Sequence, residues 1–416
     1  MRYAIQASTK SCNLRHDTKP RPLARLLIFS SAWYNQHVFG FEILKKSKKS
    51  RARLGVITTP HGEIETPAFV PVATRATVRT LDTEEIEAAN SQVLICNTFH
   101  LHIAPGEKIV QKAGGIHGYM QWKKPLMTDS GGFQVYSLGF GSDHGIGKVL
   151  KDEQEKILKE GSQPHAVKIT EEGVYFRSPI DGRQLFLSSK VSIGIQEKLG
   201  ADIMFAFDEC PSPLANEKYM RASLEKTHRW AQECLDAKST KKQALYGIVQ
   251  GGSFSHLRKE SAKILGAMPF DGYGFGGEFG YDKKTLKKVV SEVSDELPSE
   301  KPRHVLGIGH PEDFEIIAQS GGDTFDCIAP THYARRGVIF TSKGRIDLRK
   351  PRFEKDWKPL DPTCKCDVCT TYTRSYVSSL LRAKELTGMK LATMHNLFYF
   401  NKLAADVRRK IKNGEL

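Results

Sequence analysis

Nowhere in the 416 residues does an apolar run approach the roughly 18–20 needed to cross a bilayer, which excludes a membrane span. No GxGxxG opens a helix after a first strand and no GxxxxGK(S/T) occurs, so dinucleotide and P-loop chemistry have no support. A disulfide framework is missing as well. Cys12, Cys96, Cys210, Cys234 and Cys327 are scattered, and a chain of this length needs no such staples to hold its core. Without an obvious secretory signal, a reducing, cytoplasmic location is expected. Acid is scarce at the start: up to Val38 there are six Lys or Arg against Asp17 alone, and Pro20 and Pro22 break any helix. Such a start resembles an organellar transit peptide. For residues 1–40 the preferred reading is an unordered extension, or a start codon placed too far upstream.

What is present is a folded chain. Hydrophobic residues make up 39% and charged ones 26%, which fits neither a disordered nor a collagen-like sequence. The 62 Lys and Arg outnumber 47 Asp and Glu, for a formal charge of +15. That excess makes a polyanion worth testing as a partner, although a basic soluble surface explains it equally.

From Leu54 onward, short apolar runs end in Gly or a polar residue and most are separated by helix-like stretches. The runs are Ala68–Val72, Gln92–Asn97, Pro125–Asp129, Asp202–Asp208, Ala244–Gln250, Gly272–Gly277, His304–Gly309 and Thr324–Pro330. Buried parallel strands read this way, and helices over Pro213–Ala237 and Lys283–Leu297 supply crossovers. The expected fold is α/β, a (β/α)8 TIM barrel over 41–350, followed by a zinc-binding subdomain and C-terminal helices over 351–416. An open parallel sheet is the alternative.

Reactive residues of such a barrel cluster where strands end. The polar terminators are Asn97, Asp129, Asp208, Gln250, Gly277 and Asp326. A lone Asp after a strand is often only a helix N-cap; three, each in an unusual local sequence, suit acid–base or covalent chemistry. Thr128-Asp129-Ser130-Gly131-Gly132-Phe133-Gln134 sets a carboxylate beside two glycines, which let the backbone approach a ligand. Phe207-Asp208-Glu209-Cys210 and Gly247-Ile248-Val249-Gln250-Gly251-Gly252 add a carboxylate, an amide and bare backbone, a set that matches the hydrogen-bonding edge of a purine-like heterocycle. Asp326, in Phe325-Asp326-Cys327-Ile328-Ala329-Pro330, is followed by Arg335 and Arg336. Cations that fix a phosphate backbone while an acid works on a neighbouring sugar would read so, and so would a structural Asp–Arg pair.

Cys364-x-Cys366-x2-Cys369 precedes His395. Three thiolates and one imidazole make a closed tetrahedral shell for a structural Zn2+, one per chain; free thiols are the plain alternative. The chain then continues as a basic helix through Arg408, Arg409, Lys410 and Lys412, either a solvated face or a contact for nucleic acid.

From about Leu54 to its C-terminus the sequence resembles the tRNA-guanine transglycosylases, base-exchange enzymes of the queuosine pathway. The resemblance rests on DSGGFQ, FDEC, GIVQGG, the GG after Phe275, FDCIAP and CxCxxC…H, in that order. It implies a TIM barrel with a zinc-bearing subdomain near its end. It also implies that Asp326 is the nucleophile toward the ribose C1′ and that Asp129 is the general acid/base. Asp208, Gln250 and the Gly277 backbone would grip the heterocycle, and Phe133 would stack on it. Cys364, Cys366, Cys369 and His395 would hold zinc; Arg335 and Arg336, on the residue pattern alone, would meet tRNA. The substrate would be a guanine at the wobble position of a GUN anticodon loop, exchanged for 7-aminomethyl-7-deazaguanine by a homodimer.

One segment departs from the bacterial pattern. After Gly276-Gly277 this chain reads Glu278-Phe279-Gly280-Tyr281-Asp282 where bacterial members usually read Leu-Ala-Val-Gly-Glu. Gly280 then replaces a valine that narrows the pocket, and Asp282 replaces the glutamate associated with the aminomethyl group. A roomier pocket that admits queuine is the alternative, whereas Cys210 after Asp208-Glu209 is the bacterial form and favours the smaller base. Two further readings are an archaeal-type relative acting on the D-arm, which normally carries extra RNA-binding domains, and a non-catalytic tRNA-binding subunit. Retention of both Asp129 and Asp326 argues against the second.

Overall fold

The computed structural model describes residues 39–133, 167–213, 215–277 and 282–416. The extension expected over 1–40 lies, but for its last two residues, outside the described residues, as do Gln134 and the segment 278–281.

Each apolar run yields one strand: β1 (Ala68–Ala73), β2 (Leu94–Cys96), β3 (Leu126–Thr128), β4 (Ile203–Phe205), β5 (Ala244–Val249), β6 (Gly272–Phe275), β7 (Arg303–Val305) and β8 (Thr324–Cys327). Neighbours pair in parallel in chain order and β8 closes on β1, so the sheet is a barrel and not open. The period of two sorts the side chains. Val70, Ile95, Met127, Ile203, Phe205, Tyr246 and Ile248 share the interior, while Phe69, Leu94, Leu126, Met204, Leu245 and Phe275 pack in the layer beneath the helices. Two glycines make room for the interior aromatics: a Cβ on Gly272 would stand 2.6 Å from the Tyr246 ring, and one on Gly274 2.9 Å from the Phe205 ring. Of the two expected crossover helices, the second starts at Lys283 as the apolar pattern predicts and the first starts later. The first is Glu217–Ala237, because Asn216 caps it, Oδ1 accepting from the Tyr219 N–H at 2.9 Å, and prolines precede it.

An antiparallel sheet of Gly40–Lys46, Arg53–Thr59 and Gly62–Thr66 closes the end where the strands begin, with Ile57 and Ile64 joining the barrel interior. Three aspartates stitch that end together. Asp202, Asp271 and Asp323 each stand one residue before a strand and accept the backbone N–H of Leu126, Leu245 or Arg303 on the neighbouring one, at 2.8, 2.9 and 2.8 Å. Asp323 is also gripped by Arg53, at 2.8 Å to Oδ1 and 2.5 Å to Oδ2, with both residues buried. Arg53→Ala leaves that carboxylate without its cation. Denaturant unfolding of the full chain should show a loss of about 3 kcal/mol; an unchanged midpoint would show that the pair contributes nothing net.

The last helix, Leu386–Asn413, lies along the barrel, its Phe400 ring 5.2 Å from that of Phe69 and 5.7 Å from that of Phe314. Its basic end partly serves the chain itself: Arg408 donates to the Pro67 carbonyl at 2.9 Å and Lys410 pairs with Glu315 at 2.5 Å. No described helix is long and apolar enough to cross a membrane.

Candidate active site and metal cluster

Where the barrel strands end, a cavity of about 340 Å³ is lined by Asp129, Phe133, Asp208, Gln250, Gly277 and Asp326 among others. Residues spread over nearly two hundred positions thus meet at one opening, as strand ends of a closed barrel must. Arg335 and Arg336 are not part of this lining.

Asp129 follows β3 and is held from the end of β2. Asn97 Nδ2 donates to its Oδ2 at 2.5 Å and the Thr98 backbone N–H to its Oδ1 at 2.8 Å. Asn97 at the same time caps the helix Thr98–Ile103, its Oδ1 accepting from the His100 N–H at 3.1 Å. Asp208, buried, receives the Ser130 hydroxyl at 2.8 Å and the Gln250 amide Nε2 at 2.6 Å. That bond orients the amide, and its Oε1 is left buried without a hydrogen-bond partner. Buried acceptors are normally satisfied, so a site with an orphan carbonyl beside a carboxylate is built for a ligand that brings N–H groups.

Bare backbone explains how Gln250 lies so close to its neighbours. A Cβ on Gly276 would come 2.5 Å from Gln250 Nε2, and one on Gly277, whose φ is +74°, 2.6 Å from Oε1. Arg258 fixes this turn from behind: fully buried, it donates to the Gly252 carbonyl at 2.5 Å and the Gly276 carbonyl at 3.1 Å. Asp326, on β8, accepts from the Gly307 N–H at 2.8 Å and from His304 Nε2 at 3.1 Å, both on Oδ1.

Two thiols at the cavity are poor nucleophiles. Burial, with the Asp129 charge adding to it, pushes Cys96 up to about 12, and burial raises Cys327 as well. Cys210 lines the cavity as well, beside the carboxylates of Asp129, Asp208 and Asp326. Outside the cavity, Arg335 is pushed down from its usual value by burial and by the Arg79 and Arg336 charges, and its Nη1 is buried without a hydrogen-bond partner. No ion pair among the described residues neutralises Arg335, so the structural Asp–Arg pair is not formed. Asp282 caps the helix Lys283–Glu296 through the Thr285 N–H at 2.7 Å, stands exposed, and does not line the cavity.

Beyond the barrel, ligand atoms of Cys364, Cys366, Cys369 and His395 all lie within 4.8 Å of one another, and the four residues are buried. His395 Nδ1 is 3.2 Å from Cys369 Sγ and 3.6 Å from Cys366 Sγ, while Nε2 donates to the Phe340 carbonyl at 2.8 Å. That second bond fixes the proton on Nε2 and turns the Nδ1 lone pair toward the sulfurs, the usual arrangement of a metal-binding imidazole. Three soft sulfurs and a nitrogen, buried together, fit a metal ion.

The family model for queuine tRNA-ribosyltransferase matches residues 47–416. The chain belongs to this family. Among curated relatives, the queuine tRNA-ribosyltransferase of Halothermothrix orenii is 43% identical over 377 residues, 90% of this chain and 94% of the relative. That of Halalkalibacterium halodurans is 44% identical over 378 residues, covering 90% and 93%, and that of Staphylococcus aureus 42% identical over 378 residues, covering 90% and 93%. For a queuine tRNA-ribosyltransferase family member the sequence motifs named residues that meet at the cavity but not what holds them. Ser130, Arg258 and His304 went unremarked: Arg258 carries no signal beyond an ordinary amphipathic helix, and His304 reads as the first residue of an apolar run.

Proposed function

We propose that this protein is a tRNA-guanine transglycosylase that exchanges guanine at the wobble position of GUN anticodons for 7-aminomethyl-7-deazaguanine. The observation that carries the reading is the meeting, in one cavity, of a carboxylate on β8 with a carboxylate–amide pair rich in acceptors. Guanine and its 7-deaza analogues present N1–H and a 2-amino group on one edge, which answer the Asp208 carboxylate and the unpartnered Gln250 Oε1. Phe133, on the cavity wall, stacks on the flipped base.

Asp326 attacks C1′ of the ribose; the bond from C1′ to N9 of guanine breaks and its electron pair leaves with the base. Asp129 delivers a proton to the departing guanine and takes one from the incoming base, which then attacks C1′ and releases Asp326. Two displacements keep the configuration, as in a retaining glycosidase. Arg335 and Arg336 bind tRNA phosphate beside the opening; a guanidinium with a buried, unpartnered nitrogen suits that task. Zn2+ at Cys364, Cys366, Cys369 and His395 is structural, supplying a cross-link and no chemistry at the base. A homodimer in the cytoplasm belongs to the same reading. It is supported by exposed apolar side chains on the metal-bearing part, Trp357 at 74% and Leu386 at 74%, which suit burial against a second copy.

The deciding experiment charges a GUN-anticodon tRNA transcript with labelled guanine and follows its release by guanine, 7-aminomethyl-7-deazaguanine or queuine. Release by the aminomethyl base with rejection of queuine is expected. Efficient queuine use would replace the proposed base by the salvage reading, and no release by any base would overturn the enzyme itself.

A further inference from the structure

One titratable side chain inside the barrel is used by no step above. β7 and β8 pair with His304 opposite Thr324 and Val305 opposite Phe325. The strand period turns Val305 and Phe325 outward and leaves His304, Thr324 and Asp326 facing inward. His304 is completely buried, in a layer that elsewhere holds Phe205 and Tyr246, and the Phe205 ring stands 5.3 Å from its own. A polar ring there needs partners at both nitrogens. Nδ1 lies 2.9 Å from Thr324 Oγ1 and Nε2 lies 3.1 Å from Asp326 Oδ1. A carboxylate oxygen only accepts, so the Nε2 proton is fixed by its partner, and the Thr324 hydroxyl holds the other edge of the ring. With the Gly307 N–H, two donors converge on the same oxygen.

We propose that His304 is a positioning residue for Asp326: it fixes Oδ1, so that Oδ2 forms and releases the bond to ribose, and it favours the release. The inference rests on the reading of Asp326 as nucleophile. In the first displacement Oδ2 bonds to C1′ as the bond to guanine breaks, and Oδ1 becomes the carbonyl oxygen of an ester. In the second, N9 of the incoming base bonds to C1′ and gives its proton to Asp129, the C1′–Oδ2 bond breaks, and its electron pair returns to the carboxylate. Donors on Oδ1 bind a carboxylate more strongly than an ester carbonyl. They therefore hinder formation of the ester electronically, offset by their hold on its geometry, and assist its departure without such an offset. Removing one slows the second displacement more than the first.

The test uses the full chain, a GUN-anticodon tRNA transcript and labelled guanine, with His304→Phe, which fills the space without a donor, and His304→Gln, whose amide can donate to Oδ1. For the Phe variant kcat should fall by about ten- to a hundred-fold, with KM for tRNA within about two-fold of the parent. The covalent tRNA–protein adduct should reach a higher level during turnover than in the parent, and Gln should restore most of the rate. If Phe does not fold, Thr324→Val, which leaves Nε2 in place but frees the ring, should give the same shift toward adduct at a smaller loss of rate. A Phe variant with parental release, or a Gln variant as slow as Phe with no excess adduct, would reduce His304 to packing. Absence of any adduct in the parent is a different failure, that of Asp326 as nucleophile.

Discussion

Asp326→Asn is expected to lower base exchange by about four orders of magnitude or more and to abolish the covalent tRNA adduct. The amide is the sharper choice over alanine because its oxygen can still accept from the Gly307 N–H and from His304 Nε2, the two bonds that Asp326 Oδ1 makes. Melting temperature and tRNA binding should therefore stay near those of the parent. Asp326→Ala loses both bonds and should lose the same activity at some cost in stability. Asp129→Asn falls in another class. A misplaced proton costs about 10²–10⁴-fold, but water can still protonate the departing guanine more slowly, so the adduct should still form. An adduct trapped at parental yield on Asp326→Asn would overturn the assignment. The same yield lost only on Asp129→Asn would exchange the two roles.

The barrel was readable because its strands are buried on both faces and so become short apolar runs, most of them ending at or near a residue that faces the cavity. Asp129, Asp208, Gln250 and Asp326 could be picked out in that way. The same rule hid the opposite end: Asp202 looked like the first letter of a run, yet it stitches β3 to β4, and Asp323 is likewise structural. Both kinds of aspartate flank apolar runs, and only the direction of the strand tells them apart. Supporting residues were hidden for a different reason. Whether His304 meets Asp326 depends on the register of β7 against β8, and whether Arg258 turns inward depends on the two glycines its guanidinium braces. Neither is a local property of sequence. The metal cluster was legible because cysteine spacing is local, but its connection to the cavity was not.

That connection makes the second large effect. Cys369→Ser, or extraction of the metal by a chelator, is expected to cost on the order of 5 kcal/mol and to lower the melting temperature by roughly 6 °C. Cys364, Cys366 and Cys369 share an apolar cluster with Leu391 and Ala392 of the helix Leu386–Asn413, and without a cation that packing is left to carry three buried sulfurs. Activity should fall with stability, and the route is visible. His395 holds the Phe340 carbonyl, and the next residue, Asn396, accepts from the Phe340 N–H at 2.9 Å while donating to the Pro330 carbonyl at 3.0 Å. Pro330 lies four residues beyond Asp326, in the helix Ala329–Ala334 that leads to Arg335. A helix that slips at His395 therefore loosens both the strand end that carries Asp326 and the helix that leads to Arg335. The check is metal content by elemental analysis alongside a melting curve and the exchange rate. One equivalent of zinc in the parent, its loss in the variant and a lower melting point are expected together. A variant that keeps full metal, or a metal-free protein that melts and turns over like the parent, would remove the cluster from the account of both stability and activity.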